Sequence, residues 1–248
     1  MDTNMASMTE PVSKQLRHAP PGIHGGGDEY WGLAWPALEW LEREVTPGMA
    51  TLETGSGSST IVFAARGAIH QAVTTDPQEE KRIRATCERL GISSTSVIFH
   101  IGPSHEVLPS LPQQEHDLVL IDGAHGFPYP LLDWWHVAAR LRPGGRILFD
   151  DAYMPPVAMI IDALARDGHW ELAGSVGYRT AIVRKRANGL PPFDWDGRRI
   201  GGRMSFRYLP PAQRVVGSVR HRVFSTKAGL ALVAAARRRS NLRWRKTG

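Results

Sequence analysis

The sequence has 248 residues, which is enough for one α/β domain with extensions. Hydrophobic residues make up 42% and charged residues 22%, as in ordinary folded domains. Cys87 is the single cysteine, which excludes an intrachain disulfide and a zinc site built from several cysteines. No apolar run approaches the ~18 residues of a membrane span, and the N-terminus lacks the apolar core of a signal peptide, so we expect a soluble, cytoplasmic protein.

The net charge of +6 is unevenly distributed along the chain. Residues 1–196 contain 16 basic and 24 acidic side chains, whereas residues 197–248 contain 14 basic side chains and no acidic one. The basic character therefore belongs to the C-terminal tail, and it says little about what the main domain binds.

The predicted elements begin after a polar N-terminus. Residues 1–28 are rich in proline and glycine, which predicts a flexible lead before a domain at residues 29–188. Apolar residues then recur at spacings of three and four from Trp31 to Val45, which predicts an amphipathic helix with Pro36 in its first turn.

Strand-like and helix-like segments alternate from there onward. Several of the strands are almost entirely aliphatic, as expected for strands buried on both faces, so the alternation predicts a parallel, doubly wound sheet. Two further strands joined by a short glycine-containing turn must pair antiparallel, because a parallel crossover needs a dozen or more residues. The predicted strands are 49–54, 71–76, 95–102, 117–122, 145–151, 170–177 and 178–186, and the predicted helices between them are 58–67, 77–91, 105–111, 129–141 and 155–168.

A glycine-rich turn follows the first strand in the stretch LETGSGSST, residues 52–60. Gly55 and Gly57 let the backbone turn sharply and approach a ligand, and the next helix begins with free N–H groups. A dinucleotide fingerprint would have a third glycine where Thr60 stands. The alternative is a tight turn without a ligand.

Asp76 ends the second predicted strand, where nucleotide-binding folds use a carboxylate to accept the hydroxyl groups of a ribose. The alternative is a helix N-cap, because Pro77 and two glutamates follow. The glycine-rich turn and Asp76 together favour nucleoside binding.

Three carboxylates end two later strands, Asp122 on one and the pair Asp150–Asp151 on the other. Carboxyl ends of parallel strands meet at the ligand-binding edge of the sheet, where these groups would repel one another unless a cation lies among them. Oxygen ligands indicate Mg²⁺, or else Mn²⁺ or Ca²⁺. The alternative for the pair is a cap on the next helix.

His125 follows Asp122 by one short turn and can face the same space. Its imidazole can accept a proton near neutral pH, which makes it a candidate general base. The alternative is a loop histidine that is hydrogen-bonded to the backbone.

The chain from about Trp31 to Arg186 resembles the class I S-adenosylmethionine-dependent methyltransferases, and most closely their small-molecule O-methyltransferase branch, which includes macrolide-sugar and cephalosporin-pathway enzymes. Its first motif keeps Glu53, Gly55 and Gly57 and has Ser59 in place of the third glycine. The later block of the branch is matched in order by Ile121–His125, Asp133, Leu141–Gly145 and Phe149–Asp151, without a gap between Ile121 and Asp133.

This resemblance implies a Rossmann-like, seven-stranded sheet with an antiparallel last strand. It implies that S-adenosylmethionine lies over the glycine-rich turn with its ribose on Asp76, and that Mg²⁺ is held by Asp122, Asp150 and Asp151 with His125 as the base. The other cofactor-binding residues that it implies are Glu53, Gly55, Ser56, Gly57, Gly102, Ser104 and Asp122, with His105 near the adenine.

The acceptor implied by the resemblance is a hydroxylated small molecule, such as a sugar moiety or a polyketide-like metabolite. A cation that binds two substrate oxygens would align the nucleophile and lower the pKa of its hydroxyl group. Tyr129, Trp134, Trp135 and Tyr153 are candidates for the acceptor pocket, although aromatic residues on a helix also pack into cores. Metal-independent transfer stays open.

The basic extension at residues 189–248 lies outside the resemblance. It can be a solvated tail, a dimerisation or lid element, or an electrostatic anchor for an anionic membrane or nucleic acid. An RNA methyltransferase recruited by this tail is the alternative function. The negative main domain and the absence of an Asn/Asp-Pro-Pro-Tyr motif argue against nucleic acid, and the retained site residues argue against a third alternative, a degenerate binding module.

Overall fold

The structure is a computed structural model, and it describes residues 10–18, 22–24, 32–188 and 215. The first three of these ranges belong to one unit of the chain, Met1–Gly201. Predictions for the rest of the basic extension and for Trp31 lie outside the described residues. None of the helices described is long and apolar enough to cross a membrane.

The predicted strands and helices all occur in the predicted order. The strands are β1 (Ala50–Thr54), β2 (Ile69–Thr74), β3 (Val97–Ile101), β4 (His116–Ile121), β5 (Leu141–Phe149), β6 (Trp170–Val176) and β7 (Thr180–Lys185). The helices are α1 (Val12–His18), α2 (Trp35–Glu44), α3 (Ser58–Ala65), α4 (Pro77–Arg89), α5 (Ser104–Ser110), α6 (Tyr129–Ala138) and α7 (Pro155–Leu164).

The seven strands form one sheet in the order β3-β2-β1-β4-β5-β7-β6. Strands β1 to β5 pair in parallel, and β7 runs antiparallel between β5 and β6. This confirms the predicted Rossmann-like class. The strand order reverses between β1 and β4, which is the place where open α/β sheets form a ligand crevice at the carboxyl ends of their strands.

Both faces of the sheet are covered by helices, and the central strand β4 shows why. Leu118 and Leu120 pack into the core on the side of α2 and α3, whereas Val119 and Ile121 pack into the core on the side of α6 and α7. Successive side chains on a strand point to opposite faces, so an uninterrupted aliphatic run supplies both cores at once.

The N-terminal region differs from the predicted flexible lead. Residues Val12–His18 form helix α1, on which Leu16 is buried in the core beside α2. The carboxylate of Glu42 accepts hydrogen bonds from the backbone N–H groups of Val12 (2.7 Å) and Ser13 (3.1 Å) at the start of this helix. These partners lie about 30 residues away along the chain, so the composition of the lead alone could not indicate them.

Candidate functional site

The glycine-rich turn connects β1 to α3 beneath the crevice. Gly55 has φ +86°, and a Cβ atom at this position would lie 2.4 Å from the backbone oxygen of Asp122. Only glycine fits so close to the end of β4. Gly57 has an extended backbone, and its neighbour is a side chain: a Cβ atom there would lie 3.2 Å from Nε2 of His24.

Glu53 is buried under this turn and is bound by protein groups. Its carboxylate accepts hydrogen bonds from Ser59 Oγ (2.7 Å) and from Thr60 Oγ1, and it is 3.1 Å from Nε2 of the buried His70. Ser59, which replaces the third glycine of the family pattern, therefore ties the start of α3 to β1. Through these contacts, Glu53 stabilises the shape of the turn.

Asp76 lies at the carboxyl end of β2 and serves as the N-cap of α4. Its Oδ1 accepts a hydrogen bond from the backbone N–H of Gln78 (2.8 Å), and its Oδ2 pairs with Nη2 of Arg82 (2.7 Å). The bond from Gln78 and the pairing with Arg82 lower the pKa of Asp76. The side chain is 44% exposed, so the cap leaves an ionised acceptor open to a ligand.

Residues Gly22–His24, which we call the N-terminal strap, lie against this part of the site. Nδ1 of His24 is 2.8 Å from Oε1 of Glu79, and Oε2 of Glu79 accepts hydrogen bonds from Ser56 Oγ (2.8 Å) and Thr74 Oγ1. Burial acts to raise the pKa of Glu79, but the bonds from His24, Thr74 and Ser56 lower it overall. No sequence motif indicated His24 or Glu79.

The strap is also fastened by its backbone and by an apolar side chain. Nε of Arg82, the partner of Asp76, donates to the carbonyl oxygen of Ile23 (2.5 Å). The side chain of Ile23 is buried in the core. The strap is thus coupled to both parts of the expected cofactor site, the turn through Glu79 and the ribose position through Arg82.

The region expected to hold adenine lies at the end of β3. Gly102 has φ +150°, and its backbone N–H donates to the carbonyl oxygen of Thr74 (2.8 Å), which joins the ends of β2 and β3. Ser104 begins α5, and the buried Nδ1 of the next residue, His105, makes no hydrogen bond to a described residue. Asp133, the acidic residue of the later motif block, lies fully buried on α6, and this burial raises its pKa.

The structure brings Asp122, His125 and the pair Asp150–Asp151 together at the carboxyl ends of β4 and β5. Nε2 of His125 is 3.7 Å from Oδ1 of Asp122, and its Nδ1 is 3.7 Å from Oδ2 of Asp151. Both distances exceed a hydrogen bond, and they place the imidazole between two carboxylates. Among the described residues, no backbone group forms a hydrogen bond with the His125 side chain. The alternative of a loop histidine bonded to the backbone would require such a bond.

Arg179, which the sequence analysis missed, provides a cation at this corner. It lies on the turn between β6 and β7, and its Nε donates to Oδ1 of Asp151 while its Nη2 donates to Oδ2 of Asp150, both at 2.9 Å. Thr180 Oγ1 donates to the other oxygen of Asp150 (2.8 Å). Asp151 has φ +46°, a strained backbone for a non-glycine residue. Its side chain is thereby directed to Arg179 and His125.

The donor atoms at this corner fit a divalent cation, with a ligand set that differs from the predicted one. Asp122, His125 and Asp150 each offer an atom, and these atoms lie within 4.8 Å of one another. Nε2 of His125 is buried and makes no hydrogen bond to any described residue. Burial first, and then the neighbouring Asp150 and Glu53, raise the pKa of Asp122 well above its ordinary range. Asp151, also predicted as a ligand, is not in this set; Arg179 binds its Oδ1 and binds Oδ2 of Asp150 as well.

The aromatic candidates for the acceptor pocket divide into two groups. Trp134 is buried in the core, where its ring meets Trp170 edge-on with a centroid distance of 6.4 Å. Tyr129, Trp135 and Tyr153 are exposed. Tyr153 lies close enough to the carboxylate of Asp151 for this charge to raise the pKa of the tyrosine hydroxyl group. Trp134 therefore belongs to the core, and Tyr153 is in contact with the acidic corner through Asp151.

Comparisons with known proteins agree with this arrangement. Residues 52–152 match the model of a family described as a methyltransferase domain. A ribosomal protein L11 methyltransferase from Symbiobacterium thermophilum is 31% identical over 114 residues, which are 45% of this chain and 34% of that protein. The chain thus spans about a third of the length of this curated relative.

Two solved O-methyltransferases have a similar fold at low sequence identity. TomG from Streptomyces achromogenes, which takes part in tomaymycin synthesis and was solved with S-adenosylmethionine, is 16% identical with a TM-score of 0.57, over 72% of this chain and 91% of its own. An O-methyltransferase from Bacillus cereus, solved with S-adenosylhomocysteine, is 16% identical with a TM-score of 0.56, over 74% and 94% of the two chains.

The sheet with its crevice and glycine-rich turn shares its fold with these two O-methyltransferases. Residues 52–152, about two fifths of the chain, match the methyltransferase domain whose motifs the sequence resembles.

Proposed function

We propose that this protein transfers the methyl group of S-adenosylmethionine to a hydroxyl oxygen of a small molecule, such as a sugar moiety or another secondary metabolite. The observation that carries the proposal is the position of His125 between two carboxylates, 3.7 Å from each, beside the glycine-rich turn. A proton acceptor there is what an alcohol or phenol acceptor requires. TomG and the Bacillus cereus enzyme, both O-methyltransferases, support the choice of oxygen.

The geometry of the turn supports a set of proposed cofactor residues. We assign the backbone of Gly55, Ser56 and Gly57 to the cofactor, with Asp76 as the acceptor for its ribose. Glu53 supports this site from below through Ser59 and Thr60. Gly102 and Ser104, which follow β3, are assigned to the adenine, and Asp122 faces both the cofactor and the acceptor.

The chemistry at the site is alignment followed by removal of a proton. The sulfonium cofactor supplies a methyl group that is already activated, so the protein chiefly orients the nucleophilic oxygen. His125 accepts the hydroxyl proton, and Asp122 and Asp151 on either side stabilise the resulting imidazolium. The products are the methyl ether, S-adenosylhomocysteine and one proton, which His125 later releases to water.

A divalent ion, proposed here as Mg²⁺, would be held by Asp122 and Asp150 and would lower the pKa of a bound hydroxyl group. The same geometry allows Nε2 of His125 only one of two roles. A ring nitrogen that coordinates an ion has no lone pair left for a proton. His125 therefore acts either as the third ligand or as the base through Nε2, and we assign it to the base.

Metal-independent transfer is the second candidate, and one observation favours it. The guanidinium group of Arg179 already pairs with Asp150 and Asp151 at 2.8–2.9 Å, so these carboxylates do not need an ion to relieve their repulsion. Activity that survives EDTA and the Asp150→Asn change would select this candidate. Activity that is lost with EDTA and restored by Mg²⁺ would select the first.

The cofactor assignment is tested by calorimetric titration with S-adenosylhomocysteine. We expect Asp76→Ala to weaken binding about tenfold or more, because a ribose hydroxyl loses a charged acceptor. Gly57→Arg should abolish binding, since its side chain fills the space above the turn. A folded chain that binds neither S-adenosylmethionine nor S-adenosylhomocysteine would refute the proposal. A mass-spectrometric screen of hydroxylated metabolites with labelled cofactor, with and without Mg²⁺, would then identify the acceptor.

A further inference from the structure

Arg179 makes a dense set of contacts with the acidic pair. Its Nη2 lies 2.9 Å from Oδ2 of Asp150 and 2.8 Å from Oδ1 of Asp151, and its Nε donates to the same oxygen of Asp151 at 2.9 Å. The planar guanidinium fork can hold two carboxylates in a fixed relative orientation, which an ammonium group cannot do. Arg179 therefore bridges the two residues.

The backbone around Arg179 reinforces this bridge. Its carbonyl oxygen accepts a hydrogen bond from the N–H of Ala152 (2.7 Å), the residue that follows the pair. Thr180, which begins β7, donates to Oδ1 of Asp150 (2.8 Å). Strand β7 lies antiparallel beside β5, so the start of β7 necessarily meets the end of β5. Arg179 is thus held at the acidic pair by the sheet itself.

The contacts of Arg179 bear directly on the candidate ion site. Asp150 is one of the three residues whose atoms fit a cation, and Arg179 and Thr180 each occupy one of its oxygens. A divalent ion at Asp150 would meet the positive charge of Arg179 across the same carboxylate, with little solvent to screen it because Asp150 is 1% exposed. The guanidinium and the ion therefore compete for one carboxylate.

We propose that Arg179 is the resident counter-cation of the Asp150–Asp151 pair, a positioning residue that weakens the binding of divalent ions at Asp150. The inference rests on the proposed metal role of Asp122 and Asp150. The proposal predicts that removing the positive charge of Arg179 strengthens the binding of divalent ions.

The test is a titration of the full chain with Mn²⁺ alone, followed by the electron paramagnetic resonance signal of the free ion. Arg179→Gln keeps a planar hydrogen-bond donor and removes the charge. We expect it to bind Mn²⁺ at least about tenfold more tightly than the unchanged chain. The matched control is Arg184→Gln on β7, the strand that follows Arg179; it removes an arginine paired with Glu171 away from the site and should leave the affinity unchanged.

Two further variants localise the effect. Arg179→Gln combined with Asp150→Asn should lose the gain, and a gain that persists would place the ion elsewhere and overturn the inference. Equal or weaker Mn²⁺ binding by folded Arg179→Gln would also overturn it. Should that variant fail to fold, Arg179→Met replaces it: its linear side chain keeps apolar packing without the charge, so we expect a gain of similar size, and no gain refutes the inference.

The failure of the proposed function is distinguished by titrating the same samples with S-adenosylhomocysteine. Tighter Mn²⁺ binding without cofactor binding would leave the inference standing and refute the methyltransferase proposal. Cofactor binding without the change in Mn²⁺ affinity would do the reverse.

Discussion

At the scale of single residues, the site combines groups that the sequence indicated with groups that it could not. Asp122, His125 and Asp150–Asp151 could be placed together from their positions at strand ends alone. Arg179 could not, because its place depends on β7 lying next to β5, and the sequence predicted the hairpin without its neighbour. The sequence indicated no basic partner for these carboxylates, and in the structure Arg179 is that partner.

The role of His125 can be separated from cofactor binding by one substitution. We expect His125→Ala to lower turnover on an identified acceptor by about 10²-fold or more, because no other described residue lies between the two carboxylates to take the proton. Affinity for S-adenosylhomocysteine should stay the same. His169→Ala is the control, since His169 precedes β6 at the opposite edge of the sheet. Full turnover by His125→Ala would return His125 to the status of a structural loop residue.

A substitution at Gly55 shows how much the stability of the fold depends on the close approach between the ends of β1 and β4. Gly55→Ala would place a Cβ atom 2.4 Å from the backbone oxygen of Asp122, and backbone cannot yield as a flexible side chain can. We expect a loss of about 2–4 kcal/mol in unfolding free energy, measured by urea denaturation. Gly91→Ala is matched to it, because Gly91 also has positive φ, at +68°, but meets nothing within 4 Å. Equal losses in both variants would show that φ alone matters.

At the scale of elements, the sequence predicted every helix and strand from Trp35 to Lys185 because each local signal agreed with the global fold. Periodicity, strand-end carboxylates and glycine punctuation act over a few residues. What could not be predicted depends on distant partners: α1 needs Glu42, and the N-terminal strap needs Glu79 and Arg82. Composition described the lead correctly as polar, but it could not reveal these contacts.

The N-terminal strap should affect how long the cofactor stays bound. Because His24 holds Glu79, which in turn holds Ser56 of the glycine-rich turn, we expect His24→Ala to speed the dissociation of S-adenosylhomocysteine about tenfold in stopped-flow measurements. His18→Ala on α1 provides the comparison, since its side chain is 64% exposed and touches only Glu10 among the titratable groups described. Identical dissociation rates for the two variants would mean that the strap only covers the core.

At the scale of the whole molecule, buried ionisable groups outside the site link the stability of the fold to pH. Lys185 is 2% exposed and donates to the carbonyl oxygens of Ala138 (2.9 Å) and Leu141 (2.6 Å), and burial lowers its pKa. His116, at the start of β4, is 1% exposed. Burial first, and then the charges of Arg140 and His70, lower the pKa of His116 to about 4. The fold therefore holds this imidazole neutral.

This neutral histidine predicts a sensitivity to acid. The folded pKa of His116, about 4, lies below the ordinary value of 6.5, so the unfolded chain binds more protons between these values and stability falls as pH drops from 6.5 towards 4. A shift of this size corresponds to about 3 kcal/mol at full effect. Urea denaturation of His116→Asn at pH 7.0 and pH 4.5 should show a smaller loss between the two conditions than the unchanged chain shows. His18→Asn, which alters an exposed imidazole, should show the same loss as the unchanged chain. A His116→Asn chain that loses as much stability as the unchanged one would assign the acid sensitivity to the carboxylates of the molecule instead.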